Sequence, residues 1–481
     1  MNNLSYLNTN SREIIDALVQ KEINKQSNSK VINIASGSDV FDKVKSKNEF
    51  SPTEIAKELI KLENDRGNHW AYVAEKDKFY FYDNDGYWRS RNMRYLSKLI
   101  RRILKLSNSK WDRKNKIREV LSALKDKLID PLNIKRFDIG FNPNKKLINL
   151  ENGMLDWRKG ELFEHNHEYY SQIQIPIPYN PDAYCSKWKQ YMKEWVPEKE
   201  SRMVLQEYVG YCLIPDTSMQ KAMFLTGSGS NGKSTFLEVI SSLFGGNILS
   251  NIPLQKLQNR FEITEVENKL VNICSDIDST NLNETGNVKT LISGEKLRGE
   301  YKHGASFDFT PVARLFFSAN KLPTTSDKSF GWYRRFDIIE FPNQFNKGDS
   351  DHDPDLKYKL YNELPGIFNW ALEGLKRLKT NKEFTHSKNI DKSKYEYETI
   401  NDPVKSFIND MCNIGRNEYE IGKEVYSAYK NYCEDYGLKY LSRHKLTSRL
   451  KEFSIISDSK YVPSLAKTER CYIGMSLKPA N

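Results

Sequence analysis

The amino-acid sequence predicts an α/β fold organised around a phosphate-binding loop. Residues 223–226 form a short apolar run of the length of a buried strand, and residues 227–234 directly after it fit the pattern G-x-x-x-x-G-K-[ST]. Residues 235–244 then place apolar side chains on one helix face before two glycines. Two further apolar runs, at 269–274 and 313–319, predict a second and a third buried strand. Strand, loop and helix therefore follow one another in the order that a nucleotide-binding core requires.

The residue types in this loop suit the binding of a nucleoside triphosphate. Glycines let successive backbone N–H groups turn towards phosphate oxygens, and the helix that follows adds the positive end of its dipole. Lys233 can reach the β- and γ-phosphates, and the hydroxyl of Ser234 can ligate Mg²⁺. We therefore expect ATP and Mg²⁺ as cofactors. The predicted phosphate-binding residues are Gly227, Ser228, Gly229, Ser230, Asn231, Gly232, Lys233, Ser234 and Thr235.

Length, charge and cysteine usage bound the class of protein. The 481 residues predict two to four domains, and Lys and Arg exceed Asp and Glu by 11, which weakly indicates an acidic partner such as nucleic acid. The six cysteines are scattered without a C-x-x-C pair, which indicates reduced cytosolic usage and not a disulfide framework or a zinc site. The sequence contains neither a signal-peptide pattern nor a run long enough to span a membrane, so we expect a cytoplasmic protein with no membrane partner.

The sequence pattern divides the chain into five predicted parts. A helix predicted at 92–106 in the first part is rich in Lys and Arg, and a solvated helix face is favoured there over a nucleic-acid contact. The parts are an N-terminal α+β accessory region at 1–145, a helical collar region at 146–212, the ATPase domain at 213–380, a charged linker at 381–402 and a separate C-terminal unit at 403–481.

Two acidic residues in the first part allow a second interpretation. Asp83 and Asp85 follow an apolar strand and could hold the metal ions of a primase. However, an Asp-Gly pair after an aromatic strand is the ordinary signal for a hairpin turn, and the turn is favoured. His165 and His167 lack further nearby ligands and are not interpreted as a metal site.

Polar residues follow the second and third predicted strands of the core. Asp276 and Asp278 come after the second strand, where a carboxylate can hold Mg²⁺ and orient the attacking water. Asn320 follows the third strand and could position that water. Arg334 and Arg335 precede another apolar run, and an arginine there could neutralise charge on the γ-phosphate in the transition state. We predict that these residues complete a site for ATP hydrolysis, with Asp276 also a metal ligand.

Taken together, these residues resemble a superfamily 3 helicase, of the class found in phage, plasmid and poxvirus primase-helicases and in replication initiators of bacterial mobile islands. The resemblance covers about residues 145–380, and the tail more loosely. The matching segments are 227–234, the strand that ends in Asp276, 289–295, 313–323 and 332–336, with 152–156 and 205–211 resembling the domain that precedes such helicases.

The resemblance implies an AAA+-like ATPase that works as a ring, expected to be a homo-hexamer. Asn320 would be the residue called sensor 1, and Lys289 a basic sensor that reaches the nucleotide of a neighbouring subunit. Arg335 would be the arginine finger supplied in trans, with Arg334 the less favoured candidate. Relatives usually carry Glu where this chain has Asp276, so which of Asp276 and Asp278 polarises the water stays open.

Two further segments are predicted to contact DNA. Residues 297–309 predict a hairpin with Lys302 and His303 at its tip, and in this class a similarly placed Lys-His pair projects into the ring channel and grips single-stranded DNA. The C-terminal unit resembles the winged helix that follows such helicases, and its third predicted helix could enter the major groove of double-stranded origin DNA. The predicted contacts on that helix are Arg443, Lys445, Arg449 and Lys451.

The function expected from the sequence is an ATP-dependent DNA helicase that initiates replication of a phage or mobile genetic element. If it behaves like its class, it moves 3′ to 5′ on single-stranded DNA, with a primase or other replisome proteins as candidate partners. Two alternatives stay open. A primase-helicase fusion would synthesise primers at Asp83 and Asp85, and a non-enzymatic origin-binding protein would use the nucleotide only as a switch.

Overall fold

The computed structural model describes residues 49–74, 77–91, 93–128, 144–302, 306–345, 353 and 355–479. The chain forms two compact units, Met1–Ile139 and Gly140–Asn481. Within the described ranges, every helix is too short or too polar to traverse a lipid bilayer.

In the described part of the first unit, three helices pack with a three-stranded antiparallel sheet. A helix begins at Pro52, where the Ser51 side chain accepts a hydrogen bond from the Glu54 N–H at 3.4 Å and the proline occupies the first turn. The third strand was not predicted. The elements are α1 (Pro52–Asp65), β1 (His69–Val73), β2 (Lys78–Tyr82), β3 (Trp88–Arg91), α2 (Met93–Ser107) and α3 (Lys114–Leu128), with strand order β1-β2-β3.

The two acidic residues considered for a primase site lie in a hairpin turn. Asp83 and Asp85 are in the connection between β2 and β3, which pair antiparallel. Both carboxylates form ion pairs with Arg89, at 2.7 Å for Asp85. The favoured interpretation of this segment as a turn is therefore confirmed.

The second unit is built on a five-stranded sheet in which every neighbouring pair is parallel. Such a mixed α/β arrangement was predicted. Up to residue 381 its elements are β4 (Leu147–Leu150), β5 (Gly153–Asp156), β6 (Glu161–Phe163), α4 (Ser186–Trp195), α5 (Lys199–Tyr211), β7 (Ala222–Thr226), α6 (Lys233–Phe244), β8 (Leu249–Ser250), β9 (Val271–Cys274), α7 (Gly286–Ser293), β10 (Leu297–Glu300), β11 (Ser306–Phe309), β12 (Arg314–Ala319), α8 (Phe330–Tyr333), β13 (Phe336–Glu340), α9 (Leu356–Tyr361) and α10 (Leu364–Asn381).

The order of the strands in this sheet is β13-β7-β12-β9-β8. The strand before the glycine-rich loop, β7, therefore lies in the interior of the sheet between β13 and β12. Both β7 and β12 are buried along almost their whole length, as expected for parallel strands covered on two faces. This arrangement brings the carboxyl ends of β7, β12 and β9 to one edge.

Helix α5, which precedes the sheet in sequence, and helix α10, which follows it, pack together against the sheet. A Cβ on Gly210 of α5 would lie 2.2 Å from the Ala371 carbonyl oxygen of α10, so only glycine permits this close approach of the two helices. Tyr208, also on α5, donates from its hydroxyl to the Leu315 carbonyl of β12 at 2.9 Å. The segment predicted as a helical collar thus packs into the same core as the sheet.

Residues 381–402 differ from the predicted linker, because most of them form the helix α11 (Lys388–Asn401). The Ser387 side chain caps this helix by accepting from the Ile390 N–H at 3.2 Å. Tyr397 is 3% exposed within the core and donates from its hydroxyl to the Pro323 carbonyl at 2.9 Å. The charged composition that indicated a linker belongs to the solvent face of an amphipathic helix.

The end of the chain has the order helix, strand, two helices and two strands. The three helices agree with the prediction, whereas the strand after the first helix was missed. The strands pair antiparallel in the order β14-β16-β15. These elements are α12 (Pro403–Met411), β14 (Cys412–Ile421), α13 (Gly422–Asp435), α14 (Arg443–Lys451), β15 (Ile456–Val462) and β16 (Lys467–Leu477).

Asp216, between α5 and β7, is a buried carboxylate held by lysines. It is 7% exposed and forms ion pairs with Lys379 and, at 3.6 Å, with Lys145. Burial acts to raise the pKa of the Asp216 carboxyl, but the hydrogen bond and charge of Lys379 outweigh it and lower the pKa to about 2. The stabilisation from ionised Asp216 is therefore complete above the unfolded-state pKa of about 4 and is lost as the pH falls towards 2.

We expect Asp216→Asn to lower the free energy of unfolding by about 2 kcal/mol at pH 7 and by about half as much at pH 3. Urea melts at the two pH values measure the difference. Asp182→Asn, which changes an exposed carboxylate of the same unit, is the control and should alter neither melt. Equal losses for Asp216→Asn at both pH values would contradict an ionic origin.

Candidate functional site

The glycine-rich loop at 227–232 connects the carboxyl end of β7 to the first residue of α6. Gly227, Gly229 and Gly232 have φ values of 153°, 104° and 87°, which residues with a side chain rarely adopt. A Cβ on Gly227 would lie 2.6 Å from the Phe341 carbonyl oxygen, whereas the space beside Gly229 is open. The loop therefore turns at its glycines directly before the N-terminus of α6, and a helix N-terminus suits a phosphate group.

Lys233 is a buried cation that neutral oxygens contact. It is 4% exposed, and its ammonium donates to the Gly227 carbonyl at 2.8 Å, to Asn231 Oδ1 at 3.0 Å and to Asn320 Oδ1 at 3.4 Å. Among the described residues, no carboxylate forms an ion pair with it. Burial lowers the pKa of Lys233, and the charge of Asp276 opposes this effect. Because buried charges are normally paired, this ammonium fits a site whose ligand is an anion such as a triphosphate.

The predicted acidic and amide residues lie at the same edge of the sheet as the loop. β12 pairs in register with both β7 and β9, so Asn320 and Asp276, which follow β12 and β9, lie where the loop begins. Asp276, Asp278, Asn320 and Ser234 are all exposed. Hydroxyl and carboxylate oxygens are ligands that Mg²⁺ accepts, so Ser234 and Asp276 fit the expected metal.

Asp276 has a strained backbone. Its φ of 53° is a left-handed conformation that costs a residue with a side chain about 1 kcal/mol or more. The next residue, Ile277, is tied by its N–H to the Ser318 carbonyl of β12 at 3.0 Å. This hydrogen bond to β12 fixes the chain directly after the strained residue.

Arg335 lies at the amino end of the strands, whereas the glycine-rich loop lies at their carboxyl end. It directly precedes β13, and its carbonyl accepts from the Ala222 N–H at the start of β7 at 2.7 Å. β7 has five residues, so at about 3.3 Å per residue its amino and carboxyl ends are about 17 Å apart. That distance exceeds the length of an arginine side chain, so Arg335 does not reach the loop of its own subunit.

The Arg335 side chain is held by neutral groups. It donates from Nη2 to Ser293 Oγ at 2.8 Å and from Nη1 to the Gly331 carbonyl, and its Nε is a buried donor without a partner in the described part of the chain. Burial and the neighbouring Arg334 lower the pKa of Arg335. Arg334 itself donates to Gln220 Oε1 at 2.7 Å. In the described ranges, Arg335 is therefore a partly buried cation that, like Lys233, forms no ion pair with a carboxylate.

Lys289 lies on α7, the helix that also carries the Ser293 contact to Arg335. Its ammonium forms an ion pair with Asp327 at 2.7 Å, and Asp327 also accepts from the Thr285 hydroxyl at 2.6 Å. Burial acts to raise the pKa of Asp327, but the hydrogen bonds from Lys289 and its neighbours hold it well below its usual range. The predicted contact of Lys289 with a neighbouring nucleotide would require this ion pair to open.

The predicted hairpin at 297–309 is present, with β10 and β11 paired antiparallel. Lys302 is exposed near its tip, whereas His303 lies outside the described residues. Tyr301 stacks on Phe307 with ring centroids 4.5 Å apart, which stiffens the end of the hairpin.

The four predicted contacts on α14 fall into two groups. Arg443, Lys445 and Lys451 are exposed. The side chain of Arg449 is 16% exposed, and its guanidinium forms ion pairs with Asp402 and Glu452. Burial acts to lower the pKa of Arg449, but these two carboxylates raise it. Arg449 thus anchors α14 to the junction of α11 and α12, and its contact with DNA stays a prediction.

Sequence reasoning missed the segment that clamps the glycine-rich loop. The Asn231 side chain donates from Nδ2 to the Phe341 carbonyl at 3.1 Å, and the Phe345 N–H donates to the Ser230 carbonyl at 2.7 Å. Residues 341–345, which follow β13, therefore hydrogen-bond to the glycine-rich loop and fix its conformation. Asn231 carries two amide donors that need acceptors, but the sequence does not indicate which distant carbonyl supplies one.

Three family profiles match the chain. A family described as D5 N terminal like matches residues 53–197, and one described as Poxvirus D5 protein-like matches residues 399–467. A family of unknown function, DUF5906, matches residues 225–335 and so covers the glycine-rich loop and the strands beside it.

Two viral proteins are similar in sequence. "Putative helicase L207/L206" of Acanthamoeba polyphaga mimivirus is 23% identical over 393 residues, which are 71% of this chain and 40% of that protein. "Putative helicase 121R" of Invertebrate iridescent virus 3 is 27% identical over 135 residues, which are 26% of this chain and 14% of that protein. The chain thus spans less than half the length of these relatives.

Two solved structures share the fold. "The A form apo structure of NrS-1 C terminal region-CTR" has a TM-score of 0.52 at 13% identity, covering 86% of this chain and 98% of that one. "The apo structure of NrS-1 C terminal region (305-718)" has a TM-score of 0.50 at 13% identity, covering 89% of this chain and all of that one.

The fold and the site define a mixed α/β protein with a parallel sheet and a glycine-rich loop at its carboxyl edge. The D5-type profiles match the chain before and after the strands of that sheet in sequence, and they indicate a narrower class of protein. Together with the two helicase-named viral relatives, these matches support a phage/poxvirus-type primase-helicase family.

Proposed function

We propose that this protein is an ATP-dependent DNA helicase that initiates replication of a phage or mobile genetic element. The observation that carries the proposal is the buried ammonium of Lys233 in the glycine-rich loop, whose contacts among the described residues are all neutral oxygens. An ATP phosphate placed in this loop would supply the missing negative charge. The names of the two helicase-like relatives support the same class of reaction.

In the proposed hydrolysis site, the chain supplies residues from three adjacent strands. Lys233 stabilises negative charge that develops on the phosphates, and Asn320 positions the attacking water. Mg²⁺, held by Ser234 and Asp276, would neutralise phosphate charge. We assign this role to Asp276 in preference to Asp278, because strained backbone of the kind found at Asp276 concentrates at functional sites.

The site is completed by a neighbouring subunit in this proposal. Arg335 is about 17 Å from its own loop along β7, so it can serve only a nucleotide bound by another subunit. A head-to-tail interface of this kind forms a ring when its rotation closes, and we propose that it closes as a homo-hexamer. Lys289 lies on the helix that contacts Arg335 and would approach the same nucleotide as a basic sensor.

Two parts of the chain would contact DNA. The β10–β11 hairpin would place Lys302 and His303 in the ring channel, where the Lys302 ammonium binds a phosphate of the single strand that the ring moves along 3′ to 5′. The C-terminal order of helix, strand, two helices and two strands supports a winged helix, in which α14 would recognise double-stranded origin DNA. Arg443, Lys445 and Lys451 are its exposed cations.

Replacing Lys302 with alanine should leave basal ATP turnover intact and remove both its stimulation by DNA and unwinding. The exposed ammonium is far in sequence from the loop and acts only on the strand in the channel. Phosphate release with and without single-stranded DNA measures the effect. Lys296→Ala, an exposed lysine at the base of the same hairpin, is the matched control and should retain stimulation.

An unwinding assay on forked DNA tests the proposal. Wild-type protein should displace a strand when ATP is present, and Lys233→Ala should not. Displacement that persists in Lys233→Ala would contradict the mechanism, and hydrolysis without any unwinding would favour the nucleotide switch. The ion pairs of Asp83 and Asp85 with Arg89 argue against a primase site. Oligoribonucleotide synthesis that Asp83→Ala abolishes would reverse that conclusion.

A further inference from the structure

A stripe of five cations runs along α2 in the first unit. The residues are Arg94, Lys98, Arg101, Arg102 and Lys105, and all are exposed. At 3.6 residues per turn they fall within an arc of about 100°, and at 1.5 Å per residue they extend over about 17 Å. We call these five residues the α2 stripe.

The opposite face of α2 packs into the hydrophobic core of the first unit. Leu96, Ile100, Ile103 and Leu104 are buried in the core of the first unit. A basic amphipathic helix that binds a membrane inserts its apolar face between lipids, and here that face is packed against protein. The stripe therefore presents charge alone to its partner.

Within the described part of the chain, four of the five cations have no partner. Arg101 forms an ion pair with Asp112 at 3.1 Å, whereas the side chains of Arg94, Lys98, Arg102 and Lys105 form no hydrogen bond or ion pair with any described residue. Residues 93–118 contain ten Lys or Arg and one Asp, although the whole chain has a net charge of only +11. Like charges four residues apart destabilise a helix, so the stripe carries a cost that a polyanion would remove.

We propose that the α2 stripe binds the phosphate backbone of DNA without base specificity, as a contact separate from the ring channel and from α14. Phosphates along one strand of a duplex recur about every 3.4 Å of helix axis, so a stripe of about 17 Å spans about five of them. The choice of DNA as the polyanion rests on the proposed function, but the binding requires neither nucleotide nor the hydrolysis site.

The test compares two double variants of the full chain that each remove two exposed cations four residues apart. K98Q/R102Q changes the stripe, and K57Q/K61Q changes α1 of the same unit. Fluorescence anisotropy with an arbitrary 30-nucleotide DNA, single-stranded or duplex, is measured over a range of salt without nucleotide. We expect K98Q/R102Q to weaken binding roughly tenfold at low salt and to reduce the salt slope by about 2 for duplex, while K57Q/K61Q changes neither.

Several results would overturn the proposal. Unchanged affinity in K98Q/R102Q would mean that the stripe does not bind DNA and faces another partner, such as an acidic protein. Equal weakening in both double variants would show only an effect of net charge. The charge-preserving variant K98R/R102K should bind like wild type, and melting temperatures exclude unfolding as the cause. Because the assay contains no ATP, a failure of the helicase mechanism in Lys233→Ala leaves its result unchanged.

Discussion

Replacing Lys233 with alanine should lower ATP turnover by roughly a thousandfold or more, because the loop then lacks the cation that stabilises charge on the phosphates. Phosphate release at saturating ATP measures the loss. Lys376→Ala, which removes an exposed lysine on α10, is the control and should remain fully active.

The same substitution should not destabilise the nucleotide-free protein. Lys233 is a buried ammonium with neutral partners, and burying an unpaired charge costs free energy that alanine does not incur. We expect Lys233→Ala to melt at or above the wild-type temperature without ATP and to lose the rise in Tm that ATP produces. Substantial turnover in this variant, or a large fall in its melting temperature, would contradict the proposed role.

Replacing Arg335 with alanine should also lower turnover by about a thousandfold while leaving ATP affinity almost unchanged. The guanidinium is at the edge of the sheet opposite the loop, so it adds nothing to binding within one subunit. Nucleotide affinity measured by a fluorescent analogue, together with phosphate release, separates the two effects.

The adjacent arginine provides a matched control for this substitution. Arg334 donates to Gln220 within its own subunit, whereas Arg335 is held by a serine hydroxyl and a backbone carbonyl that a stronger anion can replace. Arg334→Ala should therefore retain most of its turnover. If Arg334→Ala lost turnover and Arg335→Ala did not, the assignment of the finger would be wrong.

Much of the second unit could be predicted, because its strongest signals are local. The strand, loop and helix around Lys233 lie within about 20 residues, and the apolar runs that form β9 and β12 are short and continuous. The residues of helix α11 were predicted as a linker, because its many charged residues obscure the few apolar residues that pack against the core. Strands β14 and β16 were missed since mostly polar strands of an antiparallel sheet lack a strong pattern.

The residues of the candidate site could be predicted from the sequence, but their contacts and backbone conformations could not. The sequence places Asp276 and Asn320 after buried strands, but it does not show the left-handed backbone of Asp276 or the clamp by residues 341–345. It also places Arg449 among the cations of α14 without revealing its ion pair with Asp402. The clamp and the ion pair each join residues far apart in the chain, where spacing carries no information.

The most direct test of the central claim mixes two inactive variants, Lys233→Ala and Arg335→Ala. If hydrolysis occurs between subunits, a ring containing both variants has interfaces where an intact Lys233 in one subunit meets an intact Arg335 in the next. Random mixing in equal amounts makes about a quarter of the interfaces complete, so turnover should rise far above that of either variant alone. Turnover that stays at the sum of the two separate variants would contradict an active site shared between subunits.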